Sequence, residues 1–135
     1  MKKALNKLTA PKSVMPEKII QFGEGNFLRA FVDWIVWNMD AKTNFNGSVV
    51  VVQPIERGMV EWLNGQDCLY HVNLQGRLKG EAVNTLERID VISRALNPYS
   101  QNAAFMALAE QPEIRFVISN TTEAGITFDP ACKFT

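Results

Sequence analysis

The segment KIIQFGEGNFLRAF at residues 18–31 decides the fold, because an apolar run, two glycines and an amphipathic pattern follow one another there. The run ending at Phe22 is too short for a helix and predicts a mostly buried strand. Beyond the glycines, apolar residues recur at steps of three and four, which predicts a packed helix with Asn26 as its N-cap. The residues of this helical pattern are Phe27, Ala30, Phe31, Trp34, Ile35 and Val36.

The two glycines have different predicted tasks. Gly23 permits a sharp turn from strand to helix, and Gly25 leaves no side chain between the backbone and an approaching pyrophosphate. The helix start offers free N–H groups and the positive end of its dipole to such an anion. The match to the dinucleotide fingerprint is incomplete, because Leu28 stands where a third small residue is usual. Ala30 is the nearest small residue for a close approach of helix to sheet, and an ordinary tight turn remains the alternative.

The rest of the chain predicts an α/β domain with a mainly parallel sheet and an added β-hairpin or meander. Four consecutive valines at 49–52 are typical of a strand covered on both faces. The predicted elements after the first helix are a strand at 48–53, a short helix at 56–63, a hairpin or meander at 69–92 turning at 75–77, a helix at 99–110, and a strand at 114–119 followed by a polar loop. Residues 1–17 are expected to form an extended arm, and residues 18–135 the domain.

Composition excludes several classes of function. The 135 residues suit one domain, and 14 basic against 14 acidic side chains give no electrostatic reason to expect nucleic acid or membrane as partner. Cys68 and Cys132 have no metal-binding spacing, and with one histidine, His71, we expect no metal site and reduced thiols. No secretory signal and no membrane span is predicted, so the expected location is the cytoplasm.

Residues after the valine strand bear on cofactor preference without deciding it. An acidic residue there usually accepts the ribose 2′-hydroxyl of NAD. Gln53 can hydrogen-bond that hydroxyl without charge, Glu56 favours NAD, and Arg57 can accommodate the 2′-phosphate of NADP. A solvated surface pair of Glu56 and Arg57 is an equal alternative.

Four aromatic residues on the first helix allow two interpretations. Phe27, Phe31, Trp34 and Trp37 lie at helical spacing, which more often marks core than a partner-binding face. We therefore expect them in the core.

Three separated motifs resemble the mannitol dehydrogenase family of polyol-specific long-chain dehydrogenases. They are Gly23-x-Gly25-x-Phe27-x-Arg29-Ala30-Phe31, Gln66-Asp67-x-Leu69-Tyr70, and the run from Ser119 to Ile126. Family members commonly carry histidine at the position of Phe31. The resemblance covers nearly the whole chain from Ile19 to Ile126, and three motifs in one order are more specific than the glycine turn alone.

The resemblance implies a Rossmann-like domain that is followed, in the family, by a mainly helical substrate domain. The family's catalytic lysine and its assisting asparagine and histidine lie in that second domain, so we expect no catalytic residue here and a truncated, N-terminal piece. The implied reaction is NAD-dependent interconversion of tagaturonate and altronate in hexuronate breakdown, with the sugar acid bound through the other domain. A related mannitonate, fructuronate or polyol dehydrogenase, or a non-catalytic nucleotide-binding module, is the alternative. The oligomeric state stays open.

Two segments are the candidate cofactor-binding residues. Arg29 has two equal interpretations, a contact to phosphate or a surface ion pair. The polar loop after the last strand borders the nicotinamide ribose in one interpretation and is a capped helix start in the other. The predicted contacts to NAD are Ile19, Ile20, Gln21, Phe22, Gly23, Glu24, Gly25, Asn26, Phe27, Leu28, Arg29, Ala30, Asn120, Thr121, Thr122 and Glu123.

Overall fold

The computed structural model describes residues 4–121, 123–126 and 128–131, and it contains a four-stranded parallel sheet with strand order β5-β2-β1-β6. The predicted α/β fold with a parallel sheet is therefore confirmed. The strands are β1 Glu17–Phe22, β2 Ser48–Val52, β3 Tyr70–Leu78, β4 Glu81–Ile89, β5 Ile92–Leu96 and β6 Phe116–Ser119. The helices are α1 Asn26–Lys42, α2 Val60–Gly65 and α3 Asn102–Met106, and 3-10 helices span Ala107–Glu110 and Glu123–Ile126.

Strand β1 lies at the centre of this sheet. Ile20 is aligned with Val50 of β2 on one side and with Val117 of β6 on the other. The order corresponds to the first four strands of a doubly wound 3-2-1-4-5-6 sheet, in which the crevice between strands 1 and 4 is the usual ligand position. The carboxyl ends of β1 and β6 are therefore where this fold places a site.

The valine strand divides the core into two layers. Val49 and Val51 belong to the layer beneath α1, α2 and the hairpin, whereas Val50 and Val52 belong to the layer beneath α3. All four valines are 0% exposed. The prediction of a strand covered on both faces is thus confirmed.

The hairpin differs from the prediction in two respects. Strands β3 and β4 form their own two-stranded sheet, aligned from Tyr70 opposite Ile89 to Leu78 opposite Glu81. The chain reverses at Lys79 and Gly80, both with positive φ, so the turn predicted at 75–77 is wrong. Gly76 instead lies within β3.

Strand β5 was not predicted, because polar residues interrupt its apolar pattern. Ser93 Oγ donates to Glu17 Oε1 at 2.8 Å, and Arg94 forms two hydrogen bonds of 2.9 Å to the same carboxylate. These polar side chains are accommodated because β5 is the edge strand beside β2. The extended region predicted to run through Ile92 therefore ends at β4, and Ile92 begins a strand of the parallel sheet.

The helices keep their predicted places with changed bounds. Gly25, not Asn26, is the N-cap of α1, and its conformation is extended at φ −68° and ψ 165°. The helix predicted at 56–63 is α2, which begins only at Val60. The helix predicted at 99–110 is the short α3 continued by a 3-10 helix.

Helix α1 has apolar residues on its outward face as well as on its inward face. Phe27 and Phe31 are 59% and 53% exposed, so the expectation that they belong to the core is wrong. Trp34 and Trp37 are partly buried against the core, as expected. The buried residues of α1 are instead Leu28 and Val36, together with the polar Arg29 and Asp33. The spacing of the apolar residues alone does not tell which face of the helix is buried.

The N-terminal segment lies against the domain. Lys12 Nζ donates to the backbone oxygens of Asp67 and Ser93 at 2.7 and 2.8 Å, and the chain turns at Asn6–Thr9 instead of extending. Strand β1 begins at Glu17, the last residue of the predicted arm. Among the residues described, no helix has the length and apolarity that crossing a membrane requires.

We expect Ile92→Ala to lower the free energy of unfolding by about 2–5 kcal/mol, because a fully buried aliphatic side chain leaves a cavity when truncated. Leu78→Ala is the control, since Leu78 is 66% exposed at the end of the hairpin. Urea unfolding followed by tryptophan fluorescence measures both. Equal stability losses would contradict the assignment of β5 to the parallel sheet.

Candidate dinucleotide-binding site

The segments that follow neighbouring strands meet at one edge of the sheet. Gly23 N donates to Val52 O, and Gln53 N donates to Leu96 O, each at 2.9 Å. Asn97 Nδ2 then donates to Glu56 O at 3.1 Å, which ties the end of β5 to the loop after β2. The ends of β1, β2 and β5 are thus joined by hydrogen bonds.

Gly23 is required by both its conformation and its surroundings. Its φ of +122° is in the region that side chains rarely adopt, and a Cβ there would lie 2.9 Å from Leu28 Cδ1. Leu28 is 4% exposed, so it supports the turn from below. Leu28 stands where the dinucleotide fingerprint usually has a small residue, and its large side chain fills the space beside Gly23. Ala30 is exposed, so the expectation that it allows a close approach of helix to sheet is wrong.

Gly25 opens the helix toward solvent. A Cβ built there has no atom within 4 Å, and its backbone conformation is one that alanine adopts readily. No side chain caps the first N–H groups of α1, and its first turn carries no acidic residue. The positive end of the helix dipole is therefore available to an anion.

Arg29 holds the turn from within the protein. It is 7% exposed; its Nε donates to Glu24 O at 2.9 Å, and its Nη2 donates to Asn26 Oδ1 at 2.6 Å. Its guanidinium also lies over the ring of Tyr70 at 5.4 Å from the centroid. The surface ion pair considered for Arg29 is therefore wrong, and its contact to phosphate stays a prediction.

Beneath the turn lies a buried polar cluster, which we define as Gln21, Asp33 and Tyr70. Gln21 Nε2 and Tyr70 Oη approach Asp33 Oδ2 at 3.4 and 3.3 Å. Burial raises the pKa of Asp33 to about 7, against the lowering effects of these two hydrogen bonds and of the Arg29 charge. Burial also raises the pKa of Tyr70 above its usual range.

The loop after β2 is held by Gln53. Its Nε2 donates to Ile55 O at 2.7 Å and to Glu56 O at 3.0 Å, while its Oε1 accepts from Val60 N at 3.2 Å. Both ends of the amide are occupied, so the alternative in which Gln53 binds a ribose hydroxyl is not supported.

Glu56 and Arg57 remain exposed beside a cavity of about 190 Å³. Within the part of the chain that the structure describes, they are not among the ion pairs, which are Lys7–Asp67 and Glu17–Arg94. The carboxylate of Glu24 also faces this loop, directly against Gly58. Glu56 and Glu61 line the cavity, whereas Glu24 contacts only the loop beside it.

The loop after β6 lies beside the glycine turn, because Ser119 is aligned with Phe22. Asn120 and Thr121 are exposed there, and Thr122 lies outside the described residues. A 3-10 helix begins at Glu123, as the helix-start interpretation expects for the backbone. A contact of this loop to cofactor stays a prediction.

Three other predicted contacts have side chains that pack in the core. Ile19 and Ile20 fill opposite core layers, so their side chains support the strand and do not face a ligand. Phe22 packs on Phe105, with ring centroids 6.1 Å apart. Phe27, in contrast, is exposed in the first turn of α1.

A second cavity of about 190 Å³ lies beside the start of α1. The sequence did not predict that residues of the hairpin line it. His71 is distant from the glycine turn in sequence but lines this cavity together with Asn26 and Arg29. The motif that ends at Tyr70 could have indicated this role of the hairpin, because Tyr70 begins β3 and lines the cavity. The lining residues are Asn26, Arg29, Ala30, Tyr70, His71, Val72 and Asn73.

One family model and two curated relatives match this chain over nearly its whole length. The family model described as the mannitol dehydrogenase Rossmann domain matches residues 17–133. The chain is 79% identical over 131 residues to an altronate oxidoreductase of Phocaeicola vulgatus, covering 97% of this chain and 27% of that protein. It is 48% identical over 133 residues to an altronate oxidoreductase of Escherichia coli, covering 98% of this chain and 28% of that protein. The chain thus spans about a quarter of the length of these curated relatives.

Two solved structures share the fold. One is the Pseudomonas fluorescens mannitol 2-dehydrogenase in ternary complex with NAD and D-mannitol, with a TM-score of 0.70, 24% identity, and coverage of 86% of this chain and 26% of that one. The other is a D-sorbitol dehydrogenase in substrate-free form, with a TM-score of 0.71, 23% identity, and coverage of 90% and 25%. These likenesses confirm the Rossmann-like architecture.

We expect Arg29→Lys to lower the free energy of unfolding by about 1.5–3 kcal/mol, because one ammonium does not reproduce the two hydrogen bonds and the stacking of the guanidinium. Arg57→Lys is the matched control at an exposed position and should change stability by less than about 0.5 kcal/mol. Urea unfolding compares the two. The role given to Arg29 fails if both substitutions are equally mild.

Proposed function

The chain belongs to the mannitol dehydrogenase family, and on that premise we propose that it is the dinucleotide-binding part of an NAD-dependent altronate oxidoreductase. The observation that carries the proposal is the open start of α1 at Gly25, located where β1 ends beside β6. The 79% identity to an altronate oxidoreductase supports the substrate. The domain assignment of residues 18–135, preceded by an arm, is part of the same proposal.

The described residues fit a dinucleotide pyrophosphate. Gly25 leaves open space above the helix start, and Gly23 takes the left-handed conformation that the turn needs. The Glu24 carboxylate faces the loop at Gly58 and not the helix start, so it leaves the approach of an anion free. The N–H groups of Asn26 and Phe27 are proposed to bind the phosphates.

NAD supplies hydride transfer when bound, and the task of this chain is to bind and orient it. Gly23 to Ala30 are proposed to position the pyrophosphate, and Asn120 to Glu123 to border the nicotinamide ribose, as the crevice between β1 and β6 favours. Because Asp33 is fully buried, it has no access to a substrate hydroxyl. The proton transfer is proposed to fall to the lysine that the family resemblance implies in the second domain.

The preference for NAD over NADP is proposed to arise at the loop after β2. The Glu24 carboxylate reaches this loop, and Glu56 lies exposed on it. Negative charge there repels the 2′-phosphate of NADP and accepts hydrogen bonds from the ribose hydroxyls of NAD. Arg57 is the one residue of the loop that opposes this preference.

The substrate is tested by supplying altronate and NAD to the native protein that carries this sequence and following NADH at 340 nm. Mannonate and mannitol are the competing substrates. We expect kcat/KM to be highest for altronate, and a higher value for either competitor would overturn the substrate assignment. Residues 1–135 alone are expected to oxidise none of them, because the proton-transfer group is assigned elsewhere.

We expect Gly25→Ala to weaken NADH binding at least about tenfold, or roughly 1.4 kcal/mol, because the new methyl group occupies the path of the pyrophosphate. The fold should be unaffected, since that methyl group meets no protein atom within 4 Å. A fluorescence titration with NADH measures the affinity.

Gly76→Ala is the control, because its methyl group is equally free of contacts but lies in the hairpin. Unchanged affinity in a folded Gly25→Ala protein would contradict the proposed site. A comparable loss in Gly76→Ala would show that the effect is not local.

A further inference from the structure

Asp33 is a buried carboxyl group about two helical turns beyond the start of α1, and the proposed function gives it no task. It is 0% exposed, and its Oδ2 lies 3.4 Å from Gln21 Nε2 and 3.3 Å from Tyr70 Oη. Asp33 Oδ1 and Gln21 Oε1 are both buried without a hydrogen-bond partner in the described part of the protein. The buried cluster thus has more acceptors than donors.

The same cluster is bonded to the backbone of the glycine turn and of α1. Gln21 Nε2 donates to Gly23 O at 3.1 Å, and Tyr70 Oη donates to Arg29 O at 2.9 Å. The side chain of Arg29 in turn donates to Glu24 O. The cluster is therefore connected to the turn by hydrogen bonds.

The protonation state of Asp33 decides that sharing. Tyr70 has one hydroxyl proton for two acceptors, Asp33 Oδ2 and Arg29 O. An ionised carboxylate is the stronger acceptor and draws this proton away from the helix backbone. A protonated carboxyl group leaves the Tyr70 proton to Arg29 O and adds a donor of its own to the donor-poor cluster.

Charge acts in the same direction. Of the groups that act on Asp33, Arg29 from α1 is the cation, Tyr70 from β3 is titratable, and Gln21 from β1 is uncharged. Cys68, two residues before Tyr70, is titratable and acts on Tyr70. His71 follows Tyr70 in β3, is exposed, and lines the cavity beside the start of α1 together with Asn26 and Arg29. An ionised Asp33 would add a buried negative charge about two helical turns from the proposed phosphate position, and low dielectric strengthens the repulsion.

Both states of Asp33 are populated near neutral pH, because burial raises its pKa to about 7. Burial raises the pKa of Cys68 to about 11 and that of Tyr70 still further, so these neighbours stay neutral over the same range. A change in the cluster between pH 6 and 8 is therefore a change at Asp33.

We propose that Gln21, Asp33 and Tyr70 position the glycine turn, and that the turn accepts a dinucleotide pyrophosphate when Asp33 is protonated. The proposal rests on the proposed function for the identity of the ligand. Asp33 acts as a positioning residue that touches no ligand, and its protonation is linked to cofactor affinity.

The first test measures the Kd for NADH between pH 6 and 8 in the native protein, in Asp33→Asn and in Asp40→Asn. The native protein should bind NADH about three- to tenfold more weakly at pH 8 than at pH 6, because the protonated fraction of Asp33 falls. Asp33→Asn should lose this dependence and bind more tightly than the native protein at pH 8. Asp40→Asn should keep it, since Asp40 lies near the other end of α1 and bonds Gly47 N. An unaltered pH dependence in Asp33→Asn would overturn the proposal.

The second test needs neither cofactor nor that variant. The amide resonances of Gly23 and Gly25 in the native protein should titrate with a midpoint near pH 7, whereas that of Gly76 should not. Tyr70→Phe should reduce the change at the turn, because the bond to Arg29 O is lost. Invariant turn resonances would overturn the proposal. Titrating resonances without NADH binding at any pH would support the coupling and refute the proposed function.

Discussion

The central position of β1 is the constraint on which the other features depend. Its register with β2 and β6 brings Gly23, Gln53 and Asn120 to one edge, although these residues are distant in sequence. Because the neighbouring strands lie on opposite sides of β1, their connections diverge and leave a crevice at its carboxyl end. The glycine turn opens into that crevice, so a local sequence feature becomes a site only through the parallel pairing.

Buried polar groups hold the turn in its conformation. Arg29 binds the carbonyl of Glu24, and Gln21 binds the carbonyl of Gly23, so the backbone between strand and helix is supported from below. Such groups are costly to bury unless they are hydrogen-bonded, and most of their bonds go to the turn itself. The polar residues on the inward face of α1 therefore support the site in place of hydrophobic packing.

The sequence predicted those elements that have a strong local pattern. The valines of β2 and the glycines after β1 were sufficient for the parallel sheet and the turn. Strand β5 was missed because Ser93 and Arg94 gain their partner, Glu17, only through a contact distant in sequence. For the same reason the burial of Arg29 and the closeness of His71 to α1 could not be predicted, since both depend on where the hairpin packs.

The central claim is that the crevice at the end of β1 binds a dinucleotide, and mapping the amide resonances of the protein during titration with NADH tests it most directly. The largest shifts should occur at Gly25, Asn26 and Phe27, with a second set at Asn120 and Thr121. Shifts confined to the hairpin around Gly76, or none at saturating NADH, would contradict the account.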